Sequence, residues 1–170
     1  PENGHHPSRA ISRLIVDIPE LTSREDHRGI VMATVVCVRI GEEAFGTNAG
    51  FGQLMLTIRA EFESELDALD SEICARARAY ARQDGITNVE VQYRDSFPET
   101  RNTPDAVAAV RKARLECGLP EARWDEPFRS SEDFGCYTKL TSGALFYIGC
   151  GTRHAKLHTR EYDFNDEIIE

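Results

Sequence analysis

No uninterrupted apolar run in this chain approaches the roughly 20 residues that a bilayer-spanning helix needs, and its opening residues do not read as a signal peptide. Positive charge is short as well. Twenty lysines and arginines stand against 29 aspartates and glutamates, for a formal net charge of −9, and the pI is near 5.1. Phosphate backbones and anionic membrane surfaces are therefore disfavoured, so neither nucleic acid nor membrane is expected as a partner. Cysteine is sparse and odd in number: Cys37, Cys74, Cys117, Cys136 and Cys150 are scattered without a C-x-x-C pair. That usage suits buried thiols in a reducing cytoplasm better than a disulfide framework. No internal repeat or low-complexity run interrupts the chain.

What is present describes an ordinary globular protein, 41% hydrophobic and 29% charged over 170 residues, enough for one sizeable core or two small ones. After a polar loop over residues 1–6, Pro7 sits where a first helical turn tolerates proline. Ala10, Ile11, Leu14, Ile15 and Ile18 follow at helical spacing, and Pro19 limits that helix. Residues 22–29 form a polar turn. Residues 30–40 are β-branched and predict a strand, and residues 53–60 predict a second, with a glycine-rich loop between them. In the second strand Leu54, Leu56 and Ile58 share one face, and Met55, Thr57 and Arg59 the other. Ser64 is the candidate cap of a helix whose face carries Leu66, Leu69, Ile73, Ala77 and Tyr80, with Gly85 as its stop. Val89, Val91 and Tyr93 alternate with polar residues as in a half-exposed strand. The order helix, strand, strand, helix, strand becomes a ferredoxin-like split βαβ arrangement if one strand is added in front.

Phe97 and Pro98 break the pattern and mark a boundary, giving domains at 1–98 and 99–170. Thr103 and Pro104 start another helix, as cap and first residue, which ends at Gly118. Residues 132–140 predict a short helix, 144–148 a core strand, 149–158 a loop, and 166–170 the first turn of a further helix. The chain starts in a polar loop and stops inside that turn, so a fragment is expected.

Several residues could carry chemistry. His158, after a strand and a glycine turn, is a candidate zinc ligand, although a lone histidine is more often a surface residue. His154 lies four residues away but on a loop, and no full ligand set at metal spacing is visible. Glu132 and Asp133 could orient a ligand or a substrate ammonium; preceded by Ser130 and Ser131, they also read as a helix cap, and capping is favoured on the residues alone. Arg59 could fork onto a carboxylate or form a cross-strand salt bridge. His5 and His6, in a polar loop, read as solvated.

Three blocks together resemble the zinc-dependent aminoacylase and carboxypeptidase superfamily, in its hippurate hydrolase-like amidohydrolase branch. They are residues 1–7 with Ala10 and Ile11; residues 44–47 with 56–59; and Ser131-Glu132-Asp133-Phe134, Gly149-x-Gly151, Leu157-His158 and Tyr162-Asp163-Phe164-Asn165-Asp166. The resemblance implies an α+β lid and dimerisation domain lacking its first strand, followed by the C-terminal piece of an α/β catalytic domain. It implies that Arg59 meets the substrate carboxylate, that Asn48, Gly149 and Gly151 line the substrate, that Glu132 and Asp133 support the site, and that His158 is the last metal ligand. One departure is plain: the family's lid asparagine is followed by an isoleucine-proline turn, where this chain has Gly46-Thr47-Asn48-Ala49-Gly50. The implied chemistry is cleavage of the amide of an N-acyl amino acid or small peptide by water activated on a divalent metal, zinc first and manganese or cobalt next. The general base and the other ligands would belong to an absent part, leaving this chain alone inactive. A homodimer through the lid is also implied. A non-catalytic dimerisation module and a catalytically dead regulatory homologue are the other readings open at this stage.

Overall fold

The computed structural model describes residues 4–122, 124, 126–151 and 154–168. Its elements in order are α1 (Ser8–Thr22), β1 (Val31–Ile40), β2 (Gly52–Ala60), α2 (Glu63–Gln83), α3 (Pro104–Glu116) and the four-residue α4 (Gly135–Thr138), with a final 3-10 turn at Asp166–Ile168. The chain divides into two compact units, Pro1–Thr100 with Glu121–Cys136, and Arg101–Pro120 with Tyr137–Glu170. The first unit thus takes in a segment that the sequence boundary at 98/99 assigns to the second domain.

The first unit is a small α+β layer: α1 and α2 lie on one face of an antiparallel two-stranded ribbon. Its core joins Leu14, Leu21, Val31, Leu69 and Ile73, with Ala33, Leu54, Leu56, Ile58, Ala77 and Tyr80 packed around them. Each fully buried aliphatic side chain contributes roughly 1.5–3 kcal/mol. The strand pairing contains a bulge between Val35 and Cys37, which flips the facing of β1 at Val36. Before it, Val31, Ala33 and Val35 stand opposite Ala60, Ile58 and Leu56 over the core; beyond it, Cys37 stands opposite Met55. Met32, Thr34, Thr57 and Arg59 are left together on the outer face.

Helix ends explain where local signals succeed and fail. Pro19 does not end α1, which runs on to Thr22. The missing N–H is tolerated because Leu21 is the most buried side chain of the core, 2% exposed, and Thr22 Oγ1 donates to the Ile18 carbonyl at 3.1 Å. Helix α2 starts at Glu63 rather than after Ser64, with extended Phe62 as its N-cap. Its first free N–H, on Glu63, donates to Glu99 Oε2 at 2.9 Å, so the cap comes from 36 residues away. At the other end, Ile86 N–H donates to the Ala81 carbonyl and Gly85 N–H to that of Arg82. This is a Schellman turn, and Gly85 supplies the positive φ of 73° it requires.

Residues 89–93 form no strand ladder, contrary to the sequence expectation, because no strand lies beside them among the described residues. They keep the alternation all the same: Val89 and Val91 are half-buried, while Tyr93 is exposed and donates to Asp70 at 2.8 Å.

In the second unit, α3 has Thr103 at its N-cap and Pro104 at its first position, but the threonine hydroxyl makes no cap bond. It meets Ser142 Oγ at 2.6 Å and receives the Gly143 N–H at 3.1 Å. Residues 144–148 are not the core strand that their composition suggests: Phe146, Tyr147 and Ile148 are more than half exposed. Asn102 pairs with this run, its side-chain amide bonding both the N–H and the carbonyl of Leu145 at 2.8 Å. The helix expected over 132–140 shrinks to α4. Of the helical turn expected over 166–170, residues 169 and 170 lie outside the described residues. All five cysteines are free thiols. Among the described residues no helix is long and apolar enough to cross a membrane.

Candidate functional site

The outer face of the ribbon holds an open groove of about 340 Å³ lined by Met32, Thr34, Thr57, Arg59 and Arg129. The two threonines face each other across the strands, as do Met32 and Arg59. Arg59 Nη1 donates to the backbone carbonyl of Arg129 at 2.6 Å. One of the five donors of a guanidinium is thereby used, and the rest of the fork is left for a ligand. The groove contains no acidic side chain. It differs in this from Arg13, 3.8 Å from Asp84, from Arg24, 2.7 Å from Asp26, and from Arg76, 2.9 Å from both Asp17 and Glu72. A carboxylate is the ligand chemistry this arrangement suits, because a planar guanidinium meets it with parallel hydrogen bonds.

The other sequence-derived candidates fall in different places. Asn48 lies in the loop joining β1 to β2, at the opposite end of the ribbon from Arg59. Seven residues of strand separate the Gly52 end from Arg59, about 23 Å at the usual rise, so the two are not brought together. Glu132 and Asp133 are exposed, three and four residues beyond Arg129, and Asp133 offers its carbonyl to Cys136 N–H at 2.9 Å in the turn that opens α4. Gly149, Gly151 and His158 belong to the second unit. Gly151 adopts a φ of 97° and exposed His158 a φ of 65° in a turn. His154 Nδ1 donates to the carbonyl of Ala155 at 2.8 Å. His5 and His6 are not merely solvated: His5 Nδ1 donates to the Asp84 carbonyl at 3.1 Å, and His6 Nδ1 accepts the Ser8 N–H.

Among the described residues no group of three or more His, Cys, Asp or Glu side chains converges as ligands would, and His158 supplies one donor only.

Sequence reasoning misses Arg129 and Thr34, and it puts Thr57 on the Arg59 face without giving it a role. Thr34 would have been found from the strand register, which sets it opposite Thr57, whereas Arg129 carries no local signal. It also misses a second polar cluster on the helix side of the core. There His27 Nε2 meets the Leu21 carbonyl at 2.7 Å, and Nδ1 meets Glu65 Oε2 at 3.0 Å. Both acceptors favour the protonated ring, the carbonyl first and the carboxylate second, and they raise its pKa above 6.5.

No protein-family model matches the chain, and no solved structure matches it. The chain is similar to an uncharacterized hydrolase of Staphylococcus haemolyticus, at 24% identity over 176 aligned positions covering 99% of this chain and 45% of that protein. It thus spans less than half the length of this relative, and the likeness is to a hydrolase in general terms.

Proposed function

We propose that this chain is a segment of a hydrolase, and more closely of an amidohydrolase that cleaves the amide of an N-acyl amino acid or small peptide, with Arg59 receiving the substrate's free carboxylate. The observation that carries the reading is Arg59 itself: a guanidinium without an acidic neighbour, held over an open groove by one bond to a backbone carbonyl. Its remaining donors match a carboxylate, and the groove is of amino-acid size. The general likeness to a hydrolase supports the reaction class. The metal and general base of such an enzyme would have to come from residues beyond those described, with His158 adding one donor.

The fold and assembly belong to the same proposal. Strand β2, helix α2 and the extended run 89–93 form a β-α-β order, and a strand between the first and last of these would complete a split βαβ lid. A ribbon of two strands leaves edges without ladder partners, which supports pairing with a second copy.

The test is a calorimetric titration of the chain with N-acetylalanine and with N-acetylalaninamide, which lacks the carboxylate. The acid should bind with a millimolar Kd and the amide not at all, and Arg59→Gln should abolish the difference. Equal binding of acid and amide by the wild type would sink the reading.

A further inference from the structure

Arg59 and Arg129 both line the groove, and a substrate with one carboxylate balances only one of their two positive charges. We propose that Arg129 is a specificity residue, which makes the groove select N-acyl amino acids carrying a second carboxylate on their side chain. The inference rests on the reading of Arg59 as the receptor of the first carboxylate.

The argument is one of charge and anchoring. Arg59 and Arg129 share the groove with Met32, Thr34 and Thr57, all neutral. A dianion balances both of their charges, where a monoanion balances one. Arg129 is also fixed at its backbone: its carbonyl receives Arg59 Nη1 at 2.6 Å. The second cationic side chain therefore springs from the residue that the first one grips. Thr34 and Thr57 add neutral hydroxyl donors, and Met32 offers an adaptable apolar wall for methylenes. Because the Arg59 bond goes to a backbone atom, replacing the Arg129 side chain leaves that anchor in place.

The protein carries its own reporter. Trp124, the one tryptophan in the sequence, stacks on Phe128 with ring centroids 5.3 Å apart, and Phe128 immediately precedes Arg129. Intrinsic fluorescence should therefore follow occupation of the groove.

The experiment titrates wild type, Arg129→Gln, Arg129→Lys and Arg59→Gln with N-acetylglutamate and with its neutral-side-chain isostere N-acetylglutamine. Wild type should prefer the glutamate by about tenfold, the scale of one added charge-assisted hydrogen bond. Arg129→Gln should bring the two affinities together without weakening N-acetylglutamine, and Arg129→Lys should keep most of the preference. Equal wild-type affinities, or a preference that survives Arg129→Gln, overturn the role of Arg129 while Arg59-dependent binding of both ligands keeps the underlying reading. If Arg59→Gln binds both ligands as the wild type does, the underlying reading fails and this inference fails with it.

Discussion

Arg59 donates a 2.6 Å hydrogen bond to the carbonyl of Arg129, a residue 70 positions further along the chain. The bond ties the outer face of a two-stranded ribbon to the irregular segment that leads into Glu132 and Asp133. Its consequence for binding is preorganisation. A guanidinium already held at one donor loses less rotamer freedom when a ligand takes the others.

His27 clamps the end of α1 to the first turn of α2, and the clamp depends on its proton. The folded pKa lies above the unfolded value of 6.5, raised first by the Leu21 carbonyl and then by Glu65. Stability from the clamp is therefore complete below the unfolded pKa and is lost as pH rises through the folded one. Thermal unfolding followed between about pH 6 and 8 should show the wild-type Tm falling by roughly 2–4 °C more than that of His27→Gln. Parallel curves for the two proteins would contradict the clamp.

The acid limb should be governed in part by Asp17. Tyr80 donates to its carboxylate at 2.5 Å and Arg76 pairs with it at 2.9 Å. Tyr80 is the larger cause and Arg76 the smaller, and together they outweigh burial and lower the Asp17 pKa below 3.8. This stability is present above the unfolded pKa and disappears as pH falls through the depressed value. Removing the hydroxyl with Tyr80→Phe should move the acid-unfolding midpoint, followed by circular dichroism, to higher pH. An unmoved midpoint would show that the pair contributes nothing.

Leu21 is the tightest point of the core and lies beyond the proline of α1. Leu21→Ala should destabilise the chain by about 2–5 kcal/mol, through lost transfer energy and a residual cavity. Urea unfolding should show this as a lower midpoint with an unchanged slope. A loss below about 1 kcal/mol would mean that the last turn of α1 is not held by packing.

If the chain is the segment of an amidohydrolase proposed above, it should not hydrolyse N-acyl amino acids on its own, with or without added zinc, because it spans 45% of the length of the hydrolase it is similar to and that reading puts the general base outside it. Zinc-dependent turnover abolished by His158→Ala would overturn this assignment of the catalytic parts.

Much of the first unit is legible in the sequence because its signals are local. The β-branched run at 30–40, the alternation of Leu54, Leu56 and Ile58, and the helical spacing of Leu69, Ile73 and Ala77 each name an element and its inward face. What fails is whatever depends on a distant partner. Ser64 looks like a cap, but the first N–H of α2, on Glu63, is met by Glu99. Pro19 looks like a stop, but Leu21 packs strongly enough to carry the helix past it. Val89, Val91 and Tyr93 alternate as a strand does, yet alternation cannot supply the neighbour that a ladder needs. The apolar run at 144–148 meets the same limit: the side chain of Asn102, not a strand, bonds the backbone of Leu145. In the groove, Arg59 could be picked out from its place on a strand. Arg129 could not, because only the fold brings residue 129 to residue 59.

The most direct measurement follows the side-chain Nε–H resonance of Arg59 by nuclear magnetic resonance, assigned through Arg59→Gln, while N-acetylalanine is added and then replaced by its amide. If Arg59 receives the carboxylate, that resonance shifts in a saturable way with the acid and stays in place with the amide. A resonance that ignores both ligands, or moves equally with both, contradicts the proposed site.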